Sequence, residues 1–352
     1  MTAYNIAAIP GDGIGTEAVP VGMRVVDAAG ERFGFKLRWE IFDWSCDRYL
    51  RTGKMMPDDG LSQLQKFDAI FLGAVGDPRV ADHISLWGLL IPIRRAFRQY
   101  VNLRPVRFFA GLETPLKKPG EIDFCIVREN NEGEYSSMGG RLYEGTEDEI
   151  AIQETVFTRR GVRRVMSFAF DLARKRRKHL TSATKSNGII YTMPFWDQCF
   201  RETSHDFPDV RTDQYHIDIL AAHFVRHPDW FDVIVASNLF GDILSDFGPA
   251  LVGSIGIAPS ANLNPERNYP SMFEPVHGSA PDIAGKGIAN PIGQIWSGAM
   301  MLRQLGEEPA GACVEDAIAA VLETTDVRTP DLGGSATTKQ LGEAIAQRIR
   351  TS

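Results

Sequence analysis

The chain has 352 residues, with 45 Asp and Glu against 38 Lys and Arg, a net charge of -7 and a hydrophobic share of 43%. That length exceeds what one ordinary core fills, so two domains are expected, and the acidic balance argues against general affinity for nucleic acid. No apolar run is long enough to cross a bilayer, and residues 1–5 carry neither the basic nor the apolar part of a signal peptide, so a cytoplasmic protein with no membrane partner is expected.

Strand-like runs at 6–9, 37–42 and 69–72 alternate with longer helix-like stretches, the signature of an α/β protein. After the first strand, Pro10-Gly11-Asp12-Gly13-Ile14-Gly15-Thr16-Glu17 occupies the place of a dinucleotide phosphate loop. A G-x-G-x-x-G fingerprint begun at Gly11 needs glycine where Thr16 stands, so a Rossmann fold is not expected. Glu40, near the place of a Rossmann ribose-binding acid, is accordingly read as a surface residue. Cys46, Cys125, Cys199 and Cys313 are scattered without a C-x-x-C pair, which indicates core filler rather than a disulfide framework or a zinc site.

Arg94 lies on a helix-like stretch, Arg104 closes Asn102-Leu103-Arg104-Pro105, and Arg128 ends a strand-like run at 122–127. Guanidinium forks match carboxylates in a bidentate manner, so these three suit a small dicarboxylic acid, although a single arginine is more often a surface residue. Arg95 and Arg98 are read as surface residues of that kind. Tyr135 and Lys185 are selected for proton transfer, because burial and neighbouring charge tune both. Residues 138–145 form a Gly-rich loop, 150–157 a strand, and 163–178 and 189–202 helices. The basic cluster from Arg174 to Lys178, with Arg159, Arg160, Arg163 and Arg164, accompanies Val162, Val165, Phe168, Ala169 and Leu172 at helical spacing. It is read as the wet face of an amphipathic helix rather than an RNA-binding patch.

A further strand is expected at 233–236, followed by Asn238-Leu239-Phe240-Gly241-Asp242-Ile243-Leu244-Ser245-Asp246-Phe247. On a helical period Asn238, Asp242 and Asp246 share one stripe, and Leu239, Ile243 and Phe247 another. Two acids four apart fit a solvated polar face as well as a cation site. The strand before them and Asp218 at the start of another expected helix favour hard oxygen ligands for Mg²⁺ or Mn²⁺. Residues 253–282 read as a Gly- and Pro-rich loop before a helix at 292–306. Its end runs from Glu274 through Pro275, Val276, His277, Gly278, Ser279, Ala280 and Pro281 to Asp282, with Asn290 beyond. Gly278, Ser279 and Ala280 have amides to offer an anion, and Asp282 can accept from both hydroxyls of an adenosine ribose while repelling a 2′-phosphate. An ordinary turn explains the same residues equally well.

Gly11-Asp12-Gly13-Ile14-Gly15, Asn102-Leu103-Arg104-Pro105, the run from Asn238 to Asp246, and His277-Gly278-Ser279-Ala280-Pro281-Asp282 together resemble the β-decarboxylating dehydrogenases along nearly the whole chain. That family contains the isopropylmalate, isocitrate, D-malate and tartrate dehydrogenases. The resemblance implies an α/β, isocitrate/isopropylmalate dehydrogenase-like two-domain fold that is not a Rossmann fold. Residues 1–100 with 252–352 would form the cofactor-side domain, and 101–251 the dimerisation, metal and substrate domain. It also implies a homodimer with shared active sites, in which Lys185 and Asp218 enter from the neighbouring subunit beside Asp242 and Asp246. Arg94, Arg104 and Arg128 would hold substrate carboxylates, while Ile14, Glu274, the loop from His277 to Asp282, and Asn290 would hold NAD rather than NADP.

Trp87 stands where isopropylmalate dehydrogenases carry a glutamate, and Leu90 and Ile91 follow it. The run from Ser85 to Arg95 resembles the tartrate and D-malate branch, in which a monovalent cation such as K⁺ is also implied. The expected activity is therefore oxidative decarboxylation of D-malate to pyruvate and CO₂, with oxidation of tartrate. Isopropylmalate dehydrogenase is the alternative, and a non-catalytic regulatory or RNA-binding relative is the alternative of another class.

Overall fold

The computed structural model describes residues 2–352. Ten of its twelve strands form one sheet, ordered β2-β1-β3-β12-β11-β4-β5-β10-β8-β9. One half comes from the two ends of the chain: β1 (Thr2–Ile9), β2 (Phe35–Ile41), β3 (Ala69–Leu72), β11 (Pro259–Leu263) and β12 (Ser271–Pro275). The middle of the chain supplies the rest: β4 (Val101–Arg107), β5 (Asp123–Glu129), β8 (His179–Thr184), β9 (Arg211–His216) and β10 (Val233–Ala236). The flanking strands pair in parallel, and β11 and β4 join the halves through antiparallel pairs. Parallel strands need covered faces, and β3 (Ala-Ile-Phe-Leu) and β10 (Val-Ile-Val-Ala) are wholly buried and apolar for that reason.

The expected helices at 163–178, 189–202 and 292–306 are found as Arg159–Lys175, Thr192–Ser204 and Ile292–Leu305. The expected strand at 150–157 ends at Gln153 as β7 (Ile150–Gln153). It pairs with β6 (Gly139–Leu142), so the stretch expected to be a Gly-rich loop is half of a hairpin. The 253–282 region likewise is not a loop throughout, since it contains β11 and β12. Pro259 and Pro275 occupy strand ends, and Asn262 is hydrogen-bonded to polar side chains across the sheet. Turn-like composition hid strands whose polar groups are satisfied by one another.

The basic helix buries Val162, Val165, Met166, Ala169 and Phe170, and most of the arginines on it and just after it are paired. Arg159 meets Glu202 at 2.6 Å, Arg174 meets Asp209 at 2.6 Å, and Arg176 reaches both Asp232 and Asp123. Positive charge neutralised in this way does not make a nucleic-acid surface. Glu40 is exposed on β2, and all four cysteines are free. No helix is long and apolar enough to cross a membrane, among the described residues.

At the end of β5, fully buried Glu129 accepts only backbone N–H groups, from Asn131 and Glu132. Burial pushes its carboxyl up to about 7. Because the folded value lies above the unfolded one, its contribution is most favourable below about pH 4.5 and weakens as pH rises towards 7. Glu129→Gln should therefore gain stability relative to wild type as pH rises across that window. Thermal melts of both proteins at pH 5 and pH 8 measure the difference, and equal gaps at the two pH values would contradict it.

Candidate active site

Strand pairing assembles the substrate side. Arg128 on β5 lies opposite Asn102 on β4, two residues before Arg104, so both arginines project from one face. Asn102 is paired with Asn262 on β11, and Ser260 with Glu274 on β12, which puts all four on that same face. They form a buried polar row in which the Asn102 amide donates to Ser260 and Asn262, and Asn262 donates to Glu274. Arg94, in the short helix Ile91–Ala96, completes the row with a 2.8 Å ion pair to Glu274. Glu274, which the resemblance places among the cofactor-binding residues, thus neutralises a clamp arginine from within a strand.

The acidic stripe faces these arginines. Helix Asn238–Leu251 starts where Ser237 caps it, and Glu134 ties that start down by accepting from the Ser237 hydroxyl and the Leu239 N–H. Asn238, one turn before Asp242, accepts from Arg128 at 2.7 and 3.1 Å. Asp242 pairs with Arg128, lies 3.5 Å from Arg104 and accepts the Tyr135 hydroxyl at 2.8 Å. Asp246 lies 3.7 Å from Arg104 and is more exposed. Asn238 and Asp242 are therefore turned inward on the arginines, while Asp246 at the end of the stripe is exposed. Leu239 and Ile243 of the apolar stripe are exposed too, Ile243 at 53%.

Protonation follows from these contacts. Burial opposes the charge on Asp242, but Arg128, Arg104 and the Tyr135 hydroxyl outweigh it and hold the carboxyl below its ordinary value. Asp246 is pushed up by burial and by the charge of Asp242. Burial lowers Arg128 to about 10, which leaves it cationic at neutral pH. Burial and Asp242 raise Tyr135, keeping it a phenol able to donate.

Lys185 and Asp218 form a second cluster. Lys185 follows β8, Asp218 opens helix Ile217–Arg226 after β9, and the two pair at 2.8 Å. The lysine holds the Asp218 carboxyl low. Asp218 does not join Asp242 and Asp246 within one chain, and no group of three His, Cys, Asp or Glu able to hold a metal occurs among the described residues.

On the other side, the loop from Gly11 to Gly15 is built into its neighbours. Asp12 accepts from the N–H of Cys46 and of Gly76, and the Ile14 N–H donates to the Ser279 carbonyl at 2.9 Å. A Cβ on Gly13, which has φ +52°, would sit 2.0 Å from that carbonyl, so only glycine permits the approach. Beside it Gly278 borders open space, Ala280 takes a left-handed conformation and Asp282 is exposed. His277 turns Nδ1 towards the Gly278 carbonyl, and its buried Nε2 has no partner among the described residues. Burial keeps the ring neutral by lowering its pKa. Buried Asn290 donates to Asp331 and accepts the Ile292 N–H.

Trp87 and Leu90 lie on the π-helical turn Leu86–Leu90 that leads into the helix of Arg94. Leu90 packs against a core that includes Leu72 and Leu89, while the Trp87 indole is 36% exposed beneath the Arg95 guanidinium. Arg95 was read from sequence as a surface residue, and the structure corrects this: its Nη2 donates to the Tyr135 carbonyl at 3.1 Å. No sequence signal marks a partner forty residues away.

Such a sheet, joining two chain halves and carrying two arginines opposite paired aspartates with a third arginine on a helix beside them, belongs to a known class. A model of the isocitrate/isopropylmalate dehydrogenases matches residues 5–345, and the chain belongs to that family. Among its relatives, D-malate dehydrogenase (decarboxylating) of Escherichia coli (strain K12) is 60% identical over 99% of each chain. The tartrate dehydrogenase/decarboxylase of Pseudomonas putida is 58% identical over 99% of this chain and 98% of its own. The crystal structure of isocitrate dehydrogenase from Methylococcus capsulatus superimposes with a TM-score of 0.89 at 35% identity, covering 99% of each chain.

Proposed function

We propose that this enzyme catalyses NAD- and divalent-metal-dependent oxidative decarboxylation of D-malate to pyruvate and CO₂, and also oxidises tartrate. The observation that carries the reading is the charge balance of the clamp. Arg94, Arg104 and Arg128 face Glu274, Asp242 and Asp246, so the site is nearly neutral before anything binds. A dicarboxylate dianion then calls for two compensating charges, and carboxylate oxygens on adjacent helical turns suit Mn²⁺ or Mg²⁺. Asp242 and Asp246, with Asp218 of a second copy, would hold the cation, which when bound polarises the substrate hydroxyl and carbonyl oxygens. The unpartnered His277 Nε2, the open space at Gly278 and the exposed Asp282 fit the adenosine half of NAD, whose nicotinamide half would supply the hydride acceptor. Asp282 would repel a 2′-phosphate and so favours NAD.

The protein's own groups divide the chemistry. Arg94, Arg104 and Arg128 orient the two carboxylates, and the lysine ammonium, once deprotonated, accepts the proton of the C2 hydroxyl as C2 loses hydride. Tyr135 donates to C3 after CO₂ has left. Trp87 narrows the pocket near C3, which favours malate and tartrate over an isopropyl substituent.

A homodimer with shared sites belongs to the same reading. Leu239 and Ile243 on one helix, with Ile219 and Val225 on the next, are 37 to 53% exposed. Ile150 and Ile152 on the hairpin are exposed as well. A second copy would cover these faces and bring Lys185 and Asp218 to the aspartates. The K⁺ implied for the tartrate branch belongs to this reading too.

NADH formation from D-malate, L-tartrate, meso-tartrate and 3-isopropylmalate, with NAD against NADP and with or without chelator, tests the reading. D-malate with NAD should be preferred, and activity should vanish on chelation. Faster turnover of 3-isopropylmalate would overturn the substrate assignment.

A further inference from the structure

Tyr135 lies in the irregular segment between β5 and β6, so no ladder of backbone hydrogen bonds fixes it. Besides the Arg128 guanidinium over its ring and the Gly133–Val156 bridge two residues before it, three contacts place it between the aspartates and the neighbouring helix. Its hydroxyl donates to Asp242, the preceding residue Glu134 is bonded to the start of the Asp242 helix, and its carbonyl accepts from Arg95. The first two tie the tyrosine to the aspartate helix. The third ties it to the substrate wall, because the Arg95 guanidinium also lies 4.9 Å from the centre of the Trp87 ring. The wall is itself braced, since a Cβ on Gly88 would meet Met55 at 2.8 Å. One half-buried guanidinium thus joins the indole that borders the substrate to the backbone of the phenol that faces the aspartates. A charged donor on a carbonyl is a stronger tether than a neutral one.

We propose that Arg95 is a positioning residue for Tyr135, setting the phenol against C3 of the substrate and coupling that placement to Trp87. This rests on the reading in which Tyr135 protonates C3. In that step the bond from C3 to its carboxylate breaks, its electron pair forms the C2–C3 double bond of an enolate, and CO₂ leaves. The Tyr135 O–H then delivers its proton to C3, the enolate collapses to the ketone of pyruvate, and solvent returns a proton to the tyrosinate. Hydride transfer precedes this and does not use Tyr135. Loss of Arg95 therefore affects the second half of the reaction selectively: the enolate that is not protonated in time takes back the CO₂ still held beside it, re-forming the C3–carboxylate bond, and the β-keto acid so regenerated escapes as oxaloacetate.

The experiment measures oxaloacetate, pyruvate and NADH from D-malate with the wild type and with Arg95→Met, Arg95→Lys and Tyr135→Phe. Arg95→Met should lower the rate of pyruvate formation about 10- to 100-fold, with KM within about twofold, and release oxaloacetate that the wild type retains. Arg95→Lys keeps a cation for the indole and a donor for the carbonyl, and should restore most of the wild-type product ratio. Should the methionine variant not fold, Arg95→Gln provides the same ratio, because it cannot hold both partners. If Tyr135→Phe releases oxaloacetate and the Arg95 variants do not, the positioning role is overturned while the reading of Tyr135 stands. If Tyr135→Phe still gives pyruvate alone at the wild-type rate, the reading of Tyr135 is wrong and the role of Arg95 falls with it.

Discussion

Asp242→Asn is expected to lower kcat/KM for D-malate by roughly a thousandfold, because it removes a charge aimed at the cation and leaves one amide oxygen where two carboxylate oxygens served Arg128 and the Tyr135 phenol. The variant is isosteric, so the helix Asn238–Leu251 keeps its shape and its cap. Its stability should nonetheless fall. The Arg128 side chain is only 4% exposed and would lose its carboxylate partner, a loss of about 2–3 kcal/mol once the partial exposure of Asp242 is discounted. The sign of the pH dependence follows from the direction of the shift. The Asp242 carboxyl is held below its ordinary value, so its stabilisation is complete above about pH 4 and is lost as pH falls through the folded value. The gap in melting temperature between wild type and variant should be full at pH 7 and narrow in acid. Kinetics at saturating cation with melts at both pH values provide the check, and a variant with near-normal turnover would contradict the assignment.

Lys185→Met is expected to cost kcat for D-malate oxidation a similar factor, on the order of a thousandfold, since it removes the proton acceptor of the oxidation step. It should do so differently from Asp242→Asn. Lys185 serves the C2 hydroxyl, whereas the aspartates serve every step in which charge develops on substrate oxygen. Decarboxylation of added oxaloacetate should therefore survive in Lys185→Met and be lost in Asp242→Asn. Both rates are measurable spectrophotometrically in the presence of NADH and cation. Equal loss of both partial reactions in the lysine variant would remove Lys185 from the oxidation step. Asp218, deprived of its ion-pair partner at 2.8 Å, is already largely exposed, so little stability should be lost.

Some of this was legible in the sequence because it is periodic. Asn238, Asp242 and Asp246 fall on one helical stripe, and that stripe meets Arg128 and Arg104 in the structure. The failure of the glycine fingerprint at Thr16 likewise anticipated a loop that packs on Ser279 instead of opening a Rossmann crevice. What could not be read was set by distant partners. Ser260, Asn262 and Glu274 look like turn residues until β11 is paired with β4 and β12, where each finds a buried polar neighbour. Glu274 then meets Arg94 across 180 residues. Arg95 is adjacent in sequence to a clamp arginine yet binds a backbone carbonyl and an indole, contacts with no local pattern. Tyr135 and Lys185 carry no motif of their own, and beyond side chains whose acidity can be tuned nothing but resemblance marked them. The homodimer proposed above would cover Leu239 and Ile243, apolar residues on an exposed face that periodicity alone assigns to a core.

The central claim is that one chain supplies Asp242, Asp246 and the arginine clamp while another supplies Lys185 and Asp218. Mixing purified Lys185→Met and Asp242→Asn proteins under conditions that exchange subunits tests it directly. Each variant alone should be nearly inactive, while a mixed dimer would contain one site with both native groups, so an equimolar mixture should recover about one quarter of wild-type activity. A mixture that stays inactive after mixed dimers are demonstrated by mass would show that each site is built within a single chain.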